Sequence, residues 1–206
     1  MSLSPADARL VRAFTAAVTG QFDVLRAEHA RELAAHGRVD RRWREMLLQV
    51  HVFAGFPRLV EVQGLLALDA QPDADEREAD ADPATLRARG RALFERIYAA
   101  DAGAVRGMLE RSHADFARWI EEHAYGRVLA RPGLAADRRE LLAVGALAAL
   151  GQERQLASHA RGARRCGASA AEVESVLDAI ADLVPEARLA RARELVARFG
   201  GDGGTR

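Results

Sequence analysis

The stretch "RRELLAVGALAALGQERQLASHARGARRCG" at residues 138–167 carries most of the information about the fold. It consists largely of Ala, Leu, Arg and Glu, which are strong helix formers. It contains no run in which apolar and polar residues strictly alternate, as they would in a half-buried strand. The stretch therefore predicts two successive helices, at about residues 136–150 and 152–165.

The rest of the chain has the same character. Aromatic residues make up 5% of it and β-branched residues are few, so we expect helices almost throughout and no strands. Ser4 and Pro5 predict the start of a first helix and Gly20 its end. The other predicted helices run from about 22 to 36, 41 to 55, 57 to 68, 86 to 100, 105 to 130, 170 to 183 and 186 to 199.

Composition excludes several classes of protein. The 206 residues include 30 basic and 30 acidic side chains, and this balance gives no reason to expect nucleic acid or a membrane as partner. Cys166 is the only cysteine, so no internal disulfide can form. Neither a signal peptide nor an apolar run of roughly 20 residues occurs. We therefore expect a cytoplasmic protein.

An acidic stretch divides the chain. "DAQPDADEREADADPA" at residues 69–84 has two prolines and no large apolar residue. This composition is typical of a solvated linker. The predicted organisation is thus a first, partial helical unit at 1–70, a linker at 71–84 and a second, complete unit at 85–200. Residues 201–206 are predicted to be a disordered tail.

The two units share a sequence pattern. "HARELAAHG" at 29–37 and "HARGARRCG" at 159–167 have the same frame, and the ungapped alignment of 29–67 with 159–197 gives nine identities in 39 positions. This is roughly double the number that such a composition gives by chance, so we predict two diverged copies of a multi-helix unit that pack together. The identical pairs are His29/His159, Ala30/Ala160, Arg31/Arg161, Gly37/Gly167, Leu47/Leu177, Arg58/Arg188, Leu59/Leu189, Leu65/Leu195 and Ala67/Ala197.

Part of the second unit resembles a known family. The segment "YGRVLARPGLAADRRELLAVGALAALGQERQLASHARGARRCGAS" at 125–169 is similar to the carboxymuconolactone decarboxylase family, within the alkyl hydroperoxidase D-like superfamily. The resemblance runs from about Leu86 to Phe199, and "EMLLQVHVFAGFP" at 45–57 resembles a further segment of that family. It implies an all-α, alkyl hydroperoxidase D-like helical bundle that forms ring-like homo-oligomers with sites between packed helices.

The peroxidase branch of this superfamily carries a Glu, a Cys-x-x-Cys motif and a His. The corresponding positions here are Glu140, Gln152, Gln155 and His159. Because a thiolate is the nucleophile in peroxide reduction, an amide cannot replace it. The two glutamines therefore weaken the case for a disulfide redox cycle as the function. We expect Cys166 to be a buried apolar residue.

The decarboxylase branch needs no cysteine and, by resemblance, acts on 4-carboxymuconolactone. Loss of CO₂ requires a proton donor and cations that hold carboxylates. We expect His159 and Glu140 to form the acid/base pair, and Arg131 or Arg139 to bind a substrate carboxylate. Each of these residues also has a purely structural interpretation, in helix packing, helix-dipole complementation or a loop salt bridge.

Two further residues are candidate substrate-binding groups. Tyr125 occupies the family's aromatic position before a glycine and could cover the pocket. His51 lies among apolar residues, where a histidine is usually part of the core, but a composite site in which His51 faces His159 is also possible. With neither an H-x-x-x-H motif nor a Cys/His cluster, we expect no metal and no cofactor.

Three functional classes stay open at this stage. The first is a lyase acting on a small carboxylated lactone or a related carboxylic acid. The second is a peroxidase or another redox protein, and the third is a non-catalytic protein that binds a small molecule. In each case the expected partners are a small molecule and further copies of the chain.

Overall fold

A computed structural model describes residues 2–66 and 81–200, and these residues contain helices and turns but no strand. The predicted all-α fold is confirmed. The helices are α1 (Pro5–Thr19), α2 (Phe22–His36), α3 (Arg41–Leu66), α4 (Pro83–Tyr98), α5 (Ala102–Ser112), α6 (Ala114–Trp119), α7 (Ala136–Leu150), α8 (Glu153–Cys166), α9 (Ala170–Ala179) and α10 (Glu186–Phe199). A π-helical segment (Ile120–Leu129) continues α6, and single 3₁₀ turns follow α4 and α9.

The first helix begins and ends where the sequence predicts. The Ser4 side chain accepts a hydrogen bond from the backbone N–H of Asp7, and Pro5 occupies the first turn. Gly20 ends the helix in the left-handed conformation, with φ 79°. Both signals are local side-chain and backbone effects, which explains why the sequence alone identifies them.

The break within α3 is also at the predicted place. Gly55 has φ 81° and ψ 165°, which are not helical backbone angles, and Pro57 lies two residues further along the chain. The chain therefore changes direction between a helical stretch that ends at Ala54 and one that ends at Leu66. The predicted end near Leu68 lies outside the described residues.

The single helix predicted over 105–130 is wrong in detail. His113 is extended, with φ −167° and ψ 116°, and its ring accepts a hydrogen bond from the backbone N–H of Phe116. This side-chain cap ends α5 and starts α6. Beyond Trp119 the chain is π-helical, a conformation that is frequent at functional sites and that composition does not predict.

Two apolar clusters organise the described residues. The larger is formed by α1, α2, α3 and α7 to α10, so the first and second predicted units share one core. The smaller lies between α4, α5, the π-helical segment and the end of α8; its buried members are Phe94, Ile97, Ala102, Tyr125, Leu129 and Cys166. The surface where these two clusters meet carries the candidate site.

Close backbone contact joins α4 to the π-helical segment. A Cβ at Gly90 would lie 1.9 Å from the carbonyl oxygen of Glu121, and one at Gly126 would lie 2.1 Å from that of Leu86. Only glycine fits at either position. This close contact fixes the position of the π-helical segment, and therefore of its side chains, relative to α4.

The predicted linker and tail lie mostly outside the described residues, which exclude 67–80 and 201–206. At the end of the predicted linker, Asp82 caps α4 through the backbone N–H groups of Ala84 and Thr85, so residues 83 and 84 are helical. Across the described ranges, no helix is both long enough and apolar enough to cross a membrane.

Candidate active site

Glu140 and His159 form a buried hydrogen-bonded pair. They come from the consecutive helices α7 and α8, and His159 Nδ1 lies 2.9 Å from Glu140 Oε2. Only 2% of Glu140 and 6% of His159 is exposed. The pair predicted from the sequence as an acid/base couple is therefore in direct contact.

A glycine makes room for this contact. A Cβ at Gly162 would lie 2.5 Å from Glu140 Oε2 and 2.8 Å from the Cγ2 atom of Ile97. Gly162 is one turn beyond His159 on α8, so the carboxylate occupies the space that a side chain would fill. This geometry explains the glycine at the fourth position of "HARGARRCG".

The electrostatics of the pair favour a charged imidazole. Burial by itself lowers the pKa of His159, but the charge of Glu140 and the hydrogen bond to it together raise that pKa above its usual value of 6.5. Within the described residues, Nε2 of His159 has no hydrogen-bond partner. His159 can therefore hold a proton near neutral pH and present it through Nε2.

The first unit supplies one wall of this site. The Phe53 ring of α3 lies edge-on to His159, with ring centroids 6.3 Å apart and planes at 63°. Phe53 also packs edge-to-face on Phe14 of α1, at 5.5 Å. The position of His159 thus depends on helices from both halves of the chain.

Tyr125 belongs to the smaller apolar cluster, together with Ile97 and Cys166. It is 5% exposed, and its hydroxyl forms a hydrogen bond with the hydroxyl of Tyr98 at 3.2 Å. Burial raises the pKa of Tyr98, and burial raises that of Tyr125 well above 10; the charge of Glu140 acts in the same direction on both. Both phenols are therefore neutral at physiological pH.

Arg131 and Arg139, predicted to bind a substrate carboxylate, instead bind a carboxylate of the protein. Arg131 Nε and Arg139 Nη2 each lie 2.8 Å from an oxygen of Glu45. Arg139 is 1% exposed and also donates to backbone carbonyl groups, including that of Leu134. The cluster joins the start of α3 to the turn before α7.

His51 lies opposite a different residue from the one the sequence suggested. Its Nε2 atom is 2.8 Å from Nε2 of His123, on the π-helical segment, and its ring stacks on Phe56 at 4.9 Å. Its described contacts do not include His159. The contribution of α3 to His159 is made by Phe53, two residues further along the chain.

Sequence reasoning did not identify Phe53, Tyr98, Glu45 or Gly162 as parts of this region. Two signals were available: Glu45 and Phe53 lie in "EMLLQVHVFAGFP", the first-unit fragment that resembles the family, and Gly162 lies in "HARGARRCG". Tyr98 lies within the stretch from Leu86 to Phe199 that resembles the family, but no short motif there singles it out. Its place follows from the tertiary contact between α4 and the π-helical segment.

Within the described residues, Cys166, Gln152 and Gln155 do not form a second reactive centre. Burial raises the pKa of the Cys166 thiol to about 12, and the charge of Glu140 adds to this effect. Gln152 and Gln155 are exposed at the start of α8. In the part of the chain that the structure describes, no group of three or more His, Cys, Asp or Glu side chains could hold a metal ion.

Part of the site lies in a segment that matches a protein-family model. Residues 114–198 match the model of the carboxymuconolactone decarboxylase family. Over this segment the chain is similar to that family. The carboxymuconolactone decarboxylase match spans α6 to α10 and includes Glu140, Gly162 and His159, whereas Phe53 and Tyr98 lie outside it. Among curated proteins, none matches the chain significantly.

Proposed function

We propose that the protein is a carboxy-lyase that acts on a small carboxylated lactone, or on a related carboxylic acid, by acid/base-assisted decarboxylation. The observation that carries the proposal is the buried hydrogen bond between Glu140 Oε2 and His159 Nδ1. A carboxylate at Nδ1 leaves Nε2 as the reactive nitrogen and fixes the orientation of the ring.

The roles of the two residues differ. The carboxylate of Glu140 raises the pKa of His159, so the imidazolium carries a transferable proton near neutral pH. When the C–C bond to the substrate carboxylate breaks, CO₂ leaves and its bonding electron pair moves into the unsaturated lactone. His159 then transfers its Nε2 proton to carbon, and solvent restores that proton.

The peroxidase alternative has less support. Peroxide reduction requires a thiolate. Glutamines occupy the two positions of the superfamily's cysteine pair, and the Cys166 thiol, with a pKa of about 12, is not ionised at neutral pH. A lyase of the proposed type needs neither a cysteine pair nor an ionised thiol.

The site also lies where substrate recognition by both halves of the chain is possible. Phe53 contributes an aromatic edge beside His159, and a flat unsaturated ring suits such a surface. Because Arg131 and Arg139 are held by Glu45, their role in this proposal is to position α3 beside α7 rather than to bind the substrate.

The proposal is tested by following the ultraviolet absorbance of 4-carboxymuconolactone in the presence of the purified protein. We expect turnover by the wild type and a loss of about 10²- to 10⁴-fold in His159→Gln. Glu140→Gln should lower the rate at neutral pH and shift the pH optimum to lower pH. His36→Gln, which removes an exposed histidine, is the control.

Two results would contradict the proposal. One is the absence of any absorbance change with the wild type. The other is an absorbance change that persists at full rate in His159→Gln, since the reaction would then not use this imidazole.

A further inference from the structure

The acid/base proposal leaves Tyr98 and Tyr125 without a role. Tyr98 ends α4 and Tyr125 lies on the π-helical segment, and both rings pack on Phe94, with centroids at 4.4 Å and 5.0 Å. Close packing of α4 against the π-helical segment at Gly90 and Gly126 fixes the two rings relative to each other. We propose that Tyr98 is a hydrogen-bond donor to the substrate oxygen that becomes negatively charged, and that Tyr125 positions it.

The hydrogen bond between the two phenols supports this role. Their hydroxyl oxygens lie 3.2 Å apart, and Tyr125 is the more deeply buried residue. Each phenol has one proton to donate, so this contact uses only one of the two protons. Because Tyr125 is enclosed, the proton that remains for a bound molecule is that of the less buried Tyr98.

The location of Tyr98 relative to the acid/base pair supports it too. Ile97, the preceding residue, and the carboxylate of Glu140 meet at the same point, over Gly162 of α8. Tyr98 packs with Ile97 in the smaller apolar cluster. Tyr98 is only partly buried, whereas Tyr125 is 5% exposed.

The proposal rests on the function proposed above and makes it more specific. Decarboxylation of an unsaturated lactone moves the electron pair of the broken C–C bond onto the lactone carbonyl oxygen, which becomes an enolate. A neutral phenol stabilises that oxygen by donating a hydrogen bond, and His159 then protonates the carbon. The carbonyl group forms again, and Tyr98 keeps its proton throughout.

If Tyr98 donates to the oxygen and His159 protonates the carbon, the site should bind a planar five-membered lactone that carries negative charge on its exocyclic oxygen. Tetronic acid has this structure, because its enol is ionised at neutral pH. It is therefore a probe for the proposed contact that needs no turnover. Hydrogen bonds to a charged group suggest that removing the donor weakens binding by about ten- to a hundredfold.

The experiment is a calorimetric titration of the full chain with tetronic acid at pH 7, for the wild type, Tyr98→Phe and Tyr125→Phe. We expect binding by the wild type, a ten- to hundredfold weaker affinity in Tyr98→Phe and a smaller loss in Tyr125→Phe, with unchanged circular dichroism. In the decarboxylation assay, Tyr98→Phe should lower kcat more than it raises KM.

The outcomes separate this inference from the proposed function. Equal affinity of the wild type and Tyr98→Phe for tetronic acid would overturn the role of Tyr98, as would the absence of binding by the wild type. If binding depends on Tyr98 but 4-carboxymuconolactone is not consumed, the donor role stands and the proposed reaction fails.

Discussion

His51, from the first half of the chain, forms a hydrogen bond with His123, from the second half, and their Nε2 atoms lie 2.8 Å apart. One ring donates and the other accepts, so the contact requires that the two imidazoles are not both protonated. Burial lowers the pKa of His51, and burial together with the charges of His51 and Arg127 lowers that of His123. The contact is thus a property of the protein at neutral pH.

This pair predicts a loss of stability in acid. Because both pKa values in the folded protein lie below the ordinary value of 6.5, the unfolded chain binds more protons as the pH falls below about 6.5. The contribution of the pair is therefore present above that pH and decreases toward the folded-state pKa values. Urea denaturation from pH 8 to pH 5 should show this slope in the wild type and a smaller one in His123→Gln.

NMR titration of the ring protons provides the direct check. His51 and His123 should titrate below 6.5, whereas His159, whose pKa is raised by Glu140, should titrate above it. The stability contribution of His159 accordingly has the opposite sign: it is present below pH 6.5 and is lost as the pH rises through the folded-state pKa. Normal titration of all three rings would show that these contacts do not form in solution.

The sequence predicted local features well and tertiary ones poorly. Ser4, Gly20 and Gly55 act on their own helices, so their effects follow from residue type. The Glu140–His159 contact was also predictable, because the two residues lie on neighbouring helices within one motif. Tyr98 and Phe53, in contrast, reach the site only through packing between distant segments.

The predicted duplication stays a prediction, although the two halves repeat particular details. Gln21 and Gln152 precede their helices with φ/ψ of −85°/68° and −88°/70°. A Cβ at Gly20 would meet the guanidinium of Arg58, and one at Gly151 would approach that of Arg188. Such correspondences arise from backbone geometry, which sequence identity at this level of divergence does not measure.

Replacing Gly162 with alanine should disable the site. The new Cβ would lie 2.5 Å from Glu140 Oε2, so the carboxylate must move away from His159. A displacement of about 1 Å can cost about a hundredfold in rate, and overpacking costs about 1–3 kcal/mol of stability. Decarboxylation kinetics and urea denaturation measure the two effects.

Gly103→Ala is the matched control for that substitution, because no atom lies within 4 Å of the position of its Cβ on α5. It should leave the rate unchanged and stabilise the helix by up to about 1 kcal/mol. Full activity in Gly162→Ala would mean that the hydrogen bond between Glu140 and His159 is not needed for the reaction.

Glu45→Gln tests whether Arg131 and Arg139 are structural. The substitution leaves Arg139, which is 1% exposed, without its charged partner, and breaking a buried ion pair typically costs about 3–5 kcal/mol. Glu153→Gln, in the exposed pair with Arg191, should leave the stability almost unchanged, because solvent screens that pair. Denaturation curves that do not differ between the two variants would argue against a structural role for the buried cluster.

Introducing a cysteine pair at positions 152 and 155 tests whether the start of α8 lies close to the Glu140–His159 pair. Gln152 and Gln155 are exposed, and 155 lies one turn before His159 on α8. In Gln152→Cys/Gln155→Cys, the start of the helix and the nearby imidazolium should favour a thiolate. We expect the reduced double variant to consume one equivalent of cumene hydroperoxide, whereas the wild type consumes none.

The thiol balance decides the outcome of this last test. One thiolate attacks the peroxide oxygen and forms a sulfenic acid with release of cumyl alcohol; the second thiol then displaces water and forms a disulfide. Two thiols should therefore disappear for each peroxide, and adding His159→Gln should slow the reaction. If the thiols persist, positions 152 and 155 do not lie beside a functional acid/base pair, and the site proposed here loses its link to the superfamily's geometry.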